Sequence, residues 1–152
     1  MAASIETGGD FLERKSSVSK QRTALPDLHD VLVVDDNDVD AKRLTATLRV
    51  ILGYEIHVRR ASTVATALDC VIERKPDLIF LDDVLKPSDS ATETIPYLRH
   101  ANYTGPIIVV SGEVTRARHV ELRASGATEI IHKDDVDSVR LTEAMVQVFS
   151  GR

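Results

Sequence analysis

Four short apolar runs in this chain each end on residues able to hold a cation or an anion. Asp35 and Asp36 follow VLVV, Asp82 and Asp83 follow LIFL, Ser111 follows IIVV, and Lys133 follows EIIH. Two adjacent carboxylates repel one another, which raises the pKa of at least one unless a cation neutralises them. With Asp82 they make a hard oxygen cluster suited to Mg²⁺, an ion that takes one or two carboxylates and keeps several waters. The Ser111 hydroxyl can donate a hydrogen bond to a phosphoryl oxygen, and Lys133 can neutralise that group as a mobile point charge. Gly112 is expected to leave the site open to a phosphoryl donor. Each residue alone has a plainer reading: Asp35 and Asp36 as helix caps, Ser111 as a strand-ending serine, Lys133 as a solvated lysine. Those readings do not explain why all of them stand at run ends.

The runs themselves supply the reason for their convergence. Apolar segments of four residues, separated by helical stretches, read as buried strands of a parallel sheet. In open parallel sheets, ligands bind just beyond the carboxyl ends of the strands. Strands are expected at Val31–Val34, Glu55–Arg59, Asp77–Leu81, Ile107–Val110 and Thr128–His132. Helices are expected from Asn37 to Leu52, from a Ser62 cap to about Lys75, near Thr92–Ala101, from Thr115 to Ala124, and from about Val136 to Phe149. In the first helix Val39, Leu44, Leu48, Ile51 and Leu52 fall at near-helical spacing, with Gly53 as the stop. Pro76 ends the second helix, and Pro96, within or near the start of the third, is expected to set where it begins. The alternation is (βα)5, hence α/β: a doubly wound, five-stranded parallel sheet with helices on both faces.

With 152 residues, the chain suits one domain with a single core. Residues Met1 to Leu28 are Ser-, Thr- and Gly-rich and read as a flexible tail, with Phe11 and Leu12 as its only apolar bulk. Residues 29–150 form the folded domain. A net charge of −5 without a basic run argues against nucleic acid as a partner. No stretch approaches the roughly 20 apolar residues that span a membrane, and the N-terminus lacks a secretory signal's apolar core. The single cysteine, Cys70, excludes an internal disulfide and is expected to be a small buried apolar residue. A cytoplasmic protein is the expectation.

VLVVDD, DLIFLDD with a proline after it, IIVVSG, and the lysine of IIHKDD occur in this order. The separations of Asp36, Asp82, Ser111 and Lys133 are 46, 29 and 22 residues. In these pieces the stretch from Asp30 to Phe149 resembles the receiver domain of two-component response regulators. The resemblance implies a CheY-like, flavodoxin-like three-layer sandwich in which Asp82 is the phosphoacceptor. It implies Mg²⁺ bound by Asp36 and Asp82, by Asp35 through water, and by the backbone carbonyl of Val84. Ser111 and Lys133 then hold the phosphoryl oxygens. Asp82 is preferred to Asp83 because it directly follows the strand, which leaves Asp83 as a solvated loop acid or a modest modifier of metal affinity. The implied partners are a histidine kinase or phosphotransfer protein and a downstream target, with a monomer or a weak homodimer. No turnover is expected beyond the protein's own phosphorylation and dephosphorylation. No effector domain follows the last helix, so a single-domain regulator acting through protein–protein contact is expected.

The sequence departs from the family at several points. Lys133 is followed by Asp134 rather than proline, and a cis bond before a non-proline costs about 2.5–4 kcal/mol. Ile130 occupies the position of the usual switch aromatic. Pro87 comes one residue late in the loop after Asp82. The Val84 side chain offers no polar atom to a hydrolytic water, leaving Glu113 as the acid that could orient one, so slow to moderate dephosphorylation is expected. His132 reads as a packed or partly exposed neutral residue. Two alternatives remain: a pseudo-receiver that binds a partner without phosphorylation, and a small Mg²⁺-dependent phosphatase of the haloacid-dehalogenase type using Asp36-Asn37-Asp38.

Overall fold

A computed structural model describes residues 25–86 and 88–150. The expectations for Phe11, Leu12 and Pro87 lie outside the described residues. Five parallel strands form one sheet: β1 (Asp30–Val34), β2 (His57–Ala61), β3 (Leu78–Asp82), β4 (Ile107–Ser111) and β5 (Glu129–His132), ordered β2-β1-β3-β4-β5. The helices are α1 (Asp38–Leu52), α2 (Val64–Glu73), α3 (Ala91–His100), α4 (Arg116–Ser125) and α5 (Ser138–Ser150). A two-residue antiparallel ribbon pairs Val84–Leu85 with Asp89–Ser90 between β3 and α3.

The three central strands, β1, β3 and β4, are apolar on both pleats because helices cover both faces, whereas the edge strand β2, HVRRA, is polar and partly exposed. Val31, Val33, Leu78, Phe80, Ile108 and Ile131 face α1 and α5. Leu32, Val34, Ile79, Leu81, Ile107, Val109 and Ile130 face α2, α3 and α4. This double burial keeps β3 and β4 rigid up to their last residues, with Asp82 in register with Val110. Leu25 and Leu28 pack, partly buried, on the α1–α5 side. At the other end of the strands, buried Asp30 pairs with Arg59 (3.0 Å) and Arg74 (2.6 Å) and pins β1, β2 and α2 together.

Several boundaries differ from expectation for local chemical reasons. Asn37 is the cap of α1 rather than its first residue, accepting from the Asp40 backbone N–H at 2.9 Å. Val39 is exposed at 72%, so the apolar stripe of α1 runs through Ala41, Leu44, Leu48 and Ile51 instead. β2 begins at His57, two residues later than expected. Thr63, not Ser62, caps α2, because Thr63 and Thr66 satisfy each other's backbone donors in a capping box. Pro96 lies within α3, as expected, but does not set where it begins; Ser90 is the cap, and the proline is exposed. Gly126 ends α4 in the left-handed conformation, φ 112°. Lys133–Asp135 form a single 3₁₀ turn ahead of α5, which shortens that helix at its start. Cys70 is half-buried at the edge of the core.

Candidate acidic site at the carboxyl edge of the sheet

The ends of β1 and β3 bring Asp35, Asp36 and Asp82 together, with one carboxylate oxygen from each within 4.8 Å of the others. Asp35 is fixed by the Asn37 backbone N–H, which donates to its Oδ1 at 2.9 Å. Arg60 donates from Nε and Nη2 to the Asp35 carbonyl, locking the turn after β1 to β2. Asp36 is half-buried and accepts a long bond, 3.4 Å, from the Lys86 backbone N–H. Asp82 is 5% exposed. Its Oδ1 is buried without a hydrogen-bond donor among the described residues. Lys133 Nζ stands 3.3 Å from that oxygen, an ion pair rather than an aligned hydrogen bond.

Burial raises the Asp82 pKa to about 6, with Asp35 adding to the shift while Lys133 opposes it. Asp35 is also raised, first by burial and against the pull of the Asn37 backbone N–H. For Lys133 burial disfavours the charged form, but Asp82 and then Asp35 outweigh it, and its pKa is raised. The trio thus holds more negative charge than Lys133 alone neutralises, and Asp82 Oδ1 is buried without a hydrogen bond among the described residues. Those features fit a small divalent cation.

Ser111, Lys133, Val84 and Gly112 line a cleft of about 290 Å³ with Asp82, Asp83, Glu113 and Arg118. A Cβ on Gly112 would come no nearer than 3.9 Å to Lys133 Cδ. Gly112 therefore borders the opening without being required for it. Ile130 is buried in the core. His132 caps the turn that carries Lys133, its Nδ1 accepting from the Asp134 backbone N–H at 3.0 Å. Asp38 does not join the acidic trio. It pairs with Lys42 at 2.9 Å and Arg60 at 2.6 Å, which removes the Asp-x-Asp pair the phosphatase alternative needs.

The largest correction concerns Asp83, which is 4% exposed and not a solvated loop acid. Arg118 of α4 grips it with two nitrogens, Nε at 3.0 Å from Oδ2 and Nη2 on Oδ1. The same Nη2 reaches Ser90 Oγ at 2.8 Å. Ser111 Oγ donates to Asp83 Oδ2 at 2.7 Å and accepts from the Glu113 backbone N–H at 3.0 Å. Nothing in the sequence announced this. Both pleats of β3 are apolar, so alternation cannot tell which way the residue after it points, and Arg118 sits 35 residues away on a polar helix.

The model of the response regulator receiver domain matches residues 31–146. The chain belongs to that family. No curated protein matches it. Among solved structures, this receiver domain is similar to the signal receiver domain of NarL from Mycobacterium tuberculosis, with a TM-score of 0.70 and 19% identity over 84% of this chain and 100% of that one. A response regulator from Burkholderia pseudomallei, solved with a phosphorylated aspartic acid, a calcium ion and citrate, matches at 0.66 and 26% identity over 77% of this chain and 66% of that one. A mutant receiver domain of the histidine kinase CKI1 from Arabidopsis thaliana matches at 0.66 and 24% identity, covering 82% and 91%. The receiver fold is the CheY-like sandwich expected from the residues. No helix among the described residues is long and apolar enough to cross a membrane.

Proposed function

We propose that this receiver domain accepts a phosphoryl group on Asp82 from a histidine kinase or phosphotransfer protein in the cytoplasm, and signals through contact with a downstream protein. The observation that carries this reading is the buried Asp82 carboxylate, set beside Asp35 and Asp36 with one oxygen that accepts no hydrogen bond among the described residues and is paired with Lys133 alone. The Burkholderia relative, which carries a phosphorylated aspartic acid and a calcium ion, supports the same assignment. Asp35, Asp36, Asp82 and the Val84 carbonyl are the groups to hold Mg²⁺. When bound, the cation offsets the charge of the carboxylates and of the incoming phosphoryl oxygens.

Asp82 with a pKa of about 6 is ionised roughly ten to one at pH 7. Its free oxygen attacks phosphorus, a P–N bond to the donor imidazole breaks, and an acyl phosphate forms. Lys133, held in its protonated form by Asp82 and Asp35, neutralises one phosphoryl oxygen. Ser111 and the backbone about Gly112 border the same cleft and offer donors to the others.

Intact-mass analysis after incubation with acetyl phosphate, with and without Mg²⁺, tests the proposal. One phosphoryl group is expected on the wild type only with Mg²⁺, and none on Asp82→Asn. Phosphorylation of Asp82→Asn to the wild-type level would sink the assignment.

A further inference from the structure

The Ser111 hydroxyl has a single proton, and in this structure it is directed to the Asp83 carboxylate. Glu113 O lies 2.9 Å from the same hydroxyl, but the carboxylate is nearer and charged, so it is the preferred acceptor. To donate to a phosphoryl oxygen on Asp82, the hydroxyl must leave Asp83. Asp83 cannot follow it. Its two oxygens are clamped by Arg118, its backbone N–H donates to Val110 O at 3.0 Å, and its carbonyl accepts from Ala91 N–H at 2.7 Å.

We infer that Asp83 and Arg118 are positioning residues that hold Ser111 back from the phosphoryl site and report its departure to α4. The inference rests on Asp82 being the phosphoacceptor. In the resting state Ser111 completes the coordination of Asp83 Oδ2 alongside Arg118 Nε. In the phosphorylated state Ser111 turns to the phosphoryl group, and Oδ2 keeps Arg118 alone. Arg118 is the third residue of α4, and its Nη2 also ties Ser90, the cap of α3. A change in the Asp83–Arg118 pair is therefore felt at the first turn of both helices. The effect on phosphorylation has a definite sign: competition from Asp83 lowers the stability of the phosphorylated state relative to a protein in which the hydroxyl is free.

The test compares wild type, Asp83→Asn/Arg118→Met, Ser111→Ala and the triple variant, all with acetyl phosphate and Mg²⁺. The paired substitution removes both charges together, so neither is left buried alone. The phosphorylated fraction at sub-saturating acetyl phosphate, expressed as the ratio of modified to unmodified chain, is expected to rise about 3- to 10-fold in the double variant, a range corresponding to one partly lost charge-assisted hydrogen bond. Adding Ser111→Ala is expected to abolish the gain. A structural role alone predicts an equal or lower ratio, with no dependence on Ser111.

A second measurement needs no change to the clamp. The Arg118 Nε–Hε resonance is expected to shift on phosphorylation of wild type and to stay fixed on phosphorylation of Ser111→Ala. The inference is overturned if the double variant is phosphorylated no more than wild type, if its gain survives Ser111→Ala, or if the Arg118 resonance ignores phosphorylation. Should the double variant fail to fold, the resonance alone decides. Wild type that takes no phosphoryl group at all overturns the reading of Asp82, and the role of Asp83 falls with it.

Discussion

At the scale of single residues, the chemistry is set by how little company Asp82 has. Its carboxylate is buried with an orphaned oxygen, and burial lifts its pKa from 3.8 to about 6. A carboxyl whose folded pKa lies above its unfolded value stabilises the fold fully below about pH 4. That contribution is lost as pH rises through about 6. In the presence of a chelator, Asp82→Asn should therefore be more stable than wild type at pH 7, by about 1–2 kcal/mol after allowance for the lost ion pair with Lys133. The advantage should vanish near pH 4. Urea unfolding at the two pH values measures both, and a less stable Asp82→Asn at pH 7 would contradict the burial argument. Lys133 pulls the other way, since it lowers the Asp82 pKa. Lys133→Met should move the carboxyl titration of Asp82 to higher pH, read by carbon NMR.

At the scale of elements, two local arrangements fix where one helix begins and how another is tied to the sheet. The capping box of Thr63 and Thr66 starts α2. Thr63→Ala should cost about 1 kcal/mol in chemical denaturation, and Ser62→Ala only a few tenths. Equal losses would mean that the cap lies elsewhere. The Asp83–Arg118 pair ties the loop after β3 to α4, with the Arg118 side chain only 14% exposed and the Asp83 side chain 5%. Removing one partner strands the other charge out of water. Arg118→Ala should thus lower the unfolding free energy by about 3 kcal/mol, while Asp83→Leu/Arg118→Met, which buries apolar groups of similar size, should recover most of the loss. A double variant no better than Arg118→Ala would show that the pair itself, not the stranded charge, carries the stability.

At the scale of the whole molecule, the sheet edge acts as a preformed acidic cup whose excess charge works against folding until a cation enters. On the proposed reading Mg²⁺ binds only the folded chain, and it should then raise the melting temperature in a concentration-dependent way. The gain is about 2.7 kcal/mol once Mg²⁺ exceeds its dissociation constant 100-fold. Asp36→Asn, which removes a half-buried member of the trio, should blunt the response without disturbing the core. An undiminished Mg²⁺ response in that variant would place the cation elsewhere.

The sequence by itself determined the five strands, the five helices and which polar residues gather at the strand ends. Buried parallel strands must be apolar on both pleats, and polar residues are admitted only where such a strand stops, so the pattern of runs carries both the fold and the edge. Asp35, Asp36, Asp82, Ser111 and Lys133 were legible for that reason. Helix starts were less so, because Ser62 and Thr63 are both competent caps and only the positions of Thr66 and its backbone N–H choose between them. The fate of Asp83 was decided by tertiary structure alone. Its neighbours Ser111 and Arg118 lie 28 and 35 residues away. Whether a carboxylate just past a strand end is solvated or clamped depends on which helix folds back over it. A one-dimensional pattern encodes the periodicity of each element but not the partner that its last side chain meets.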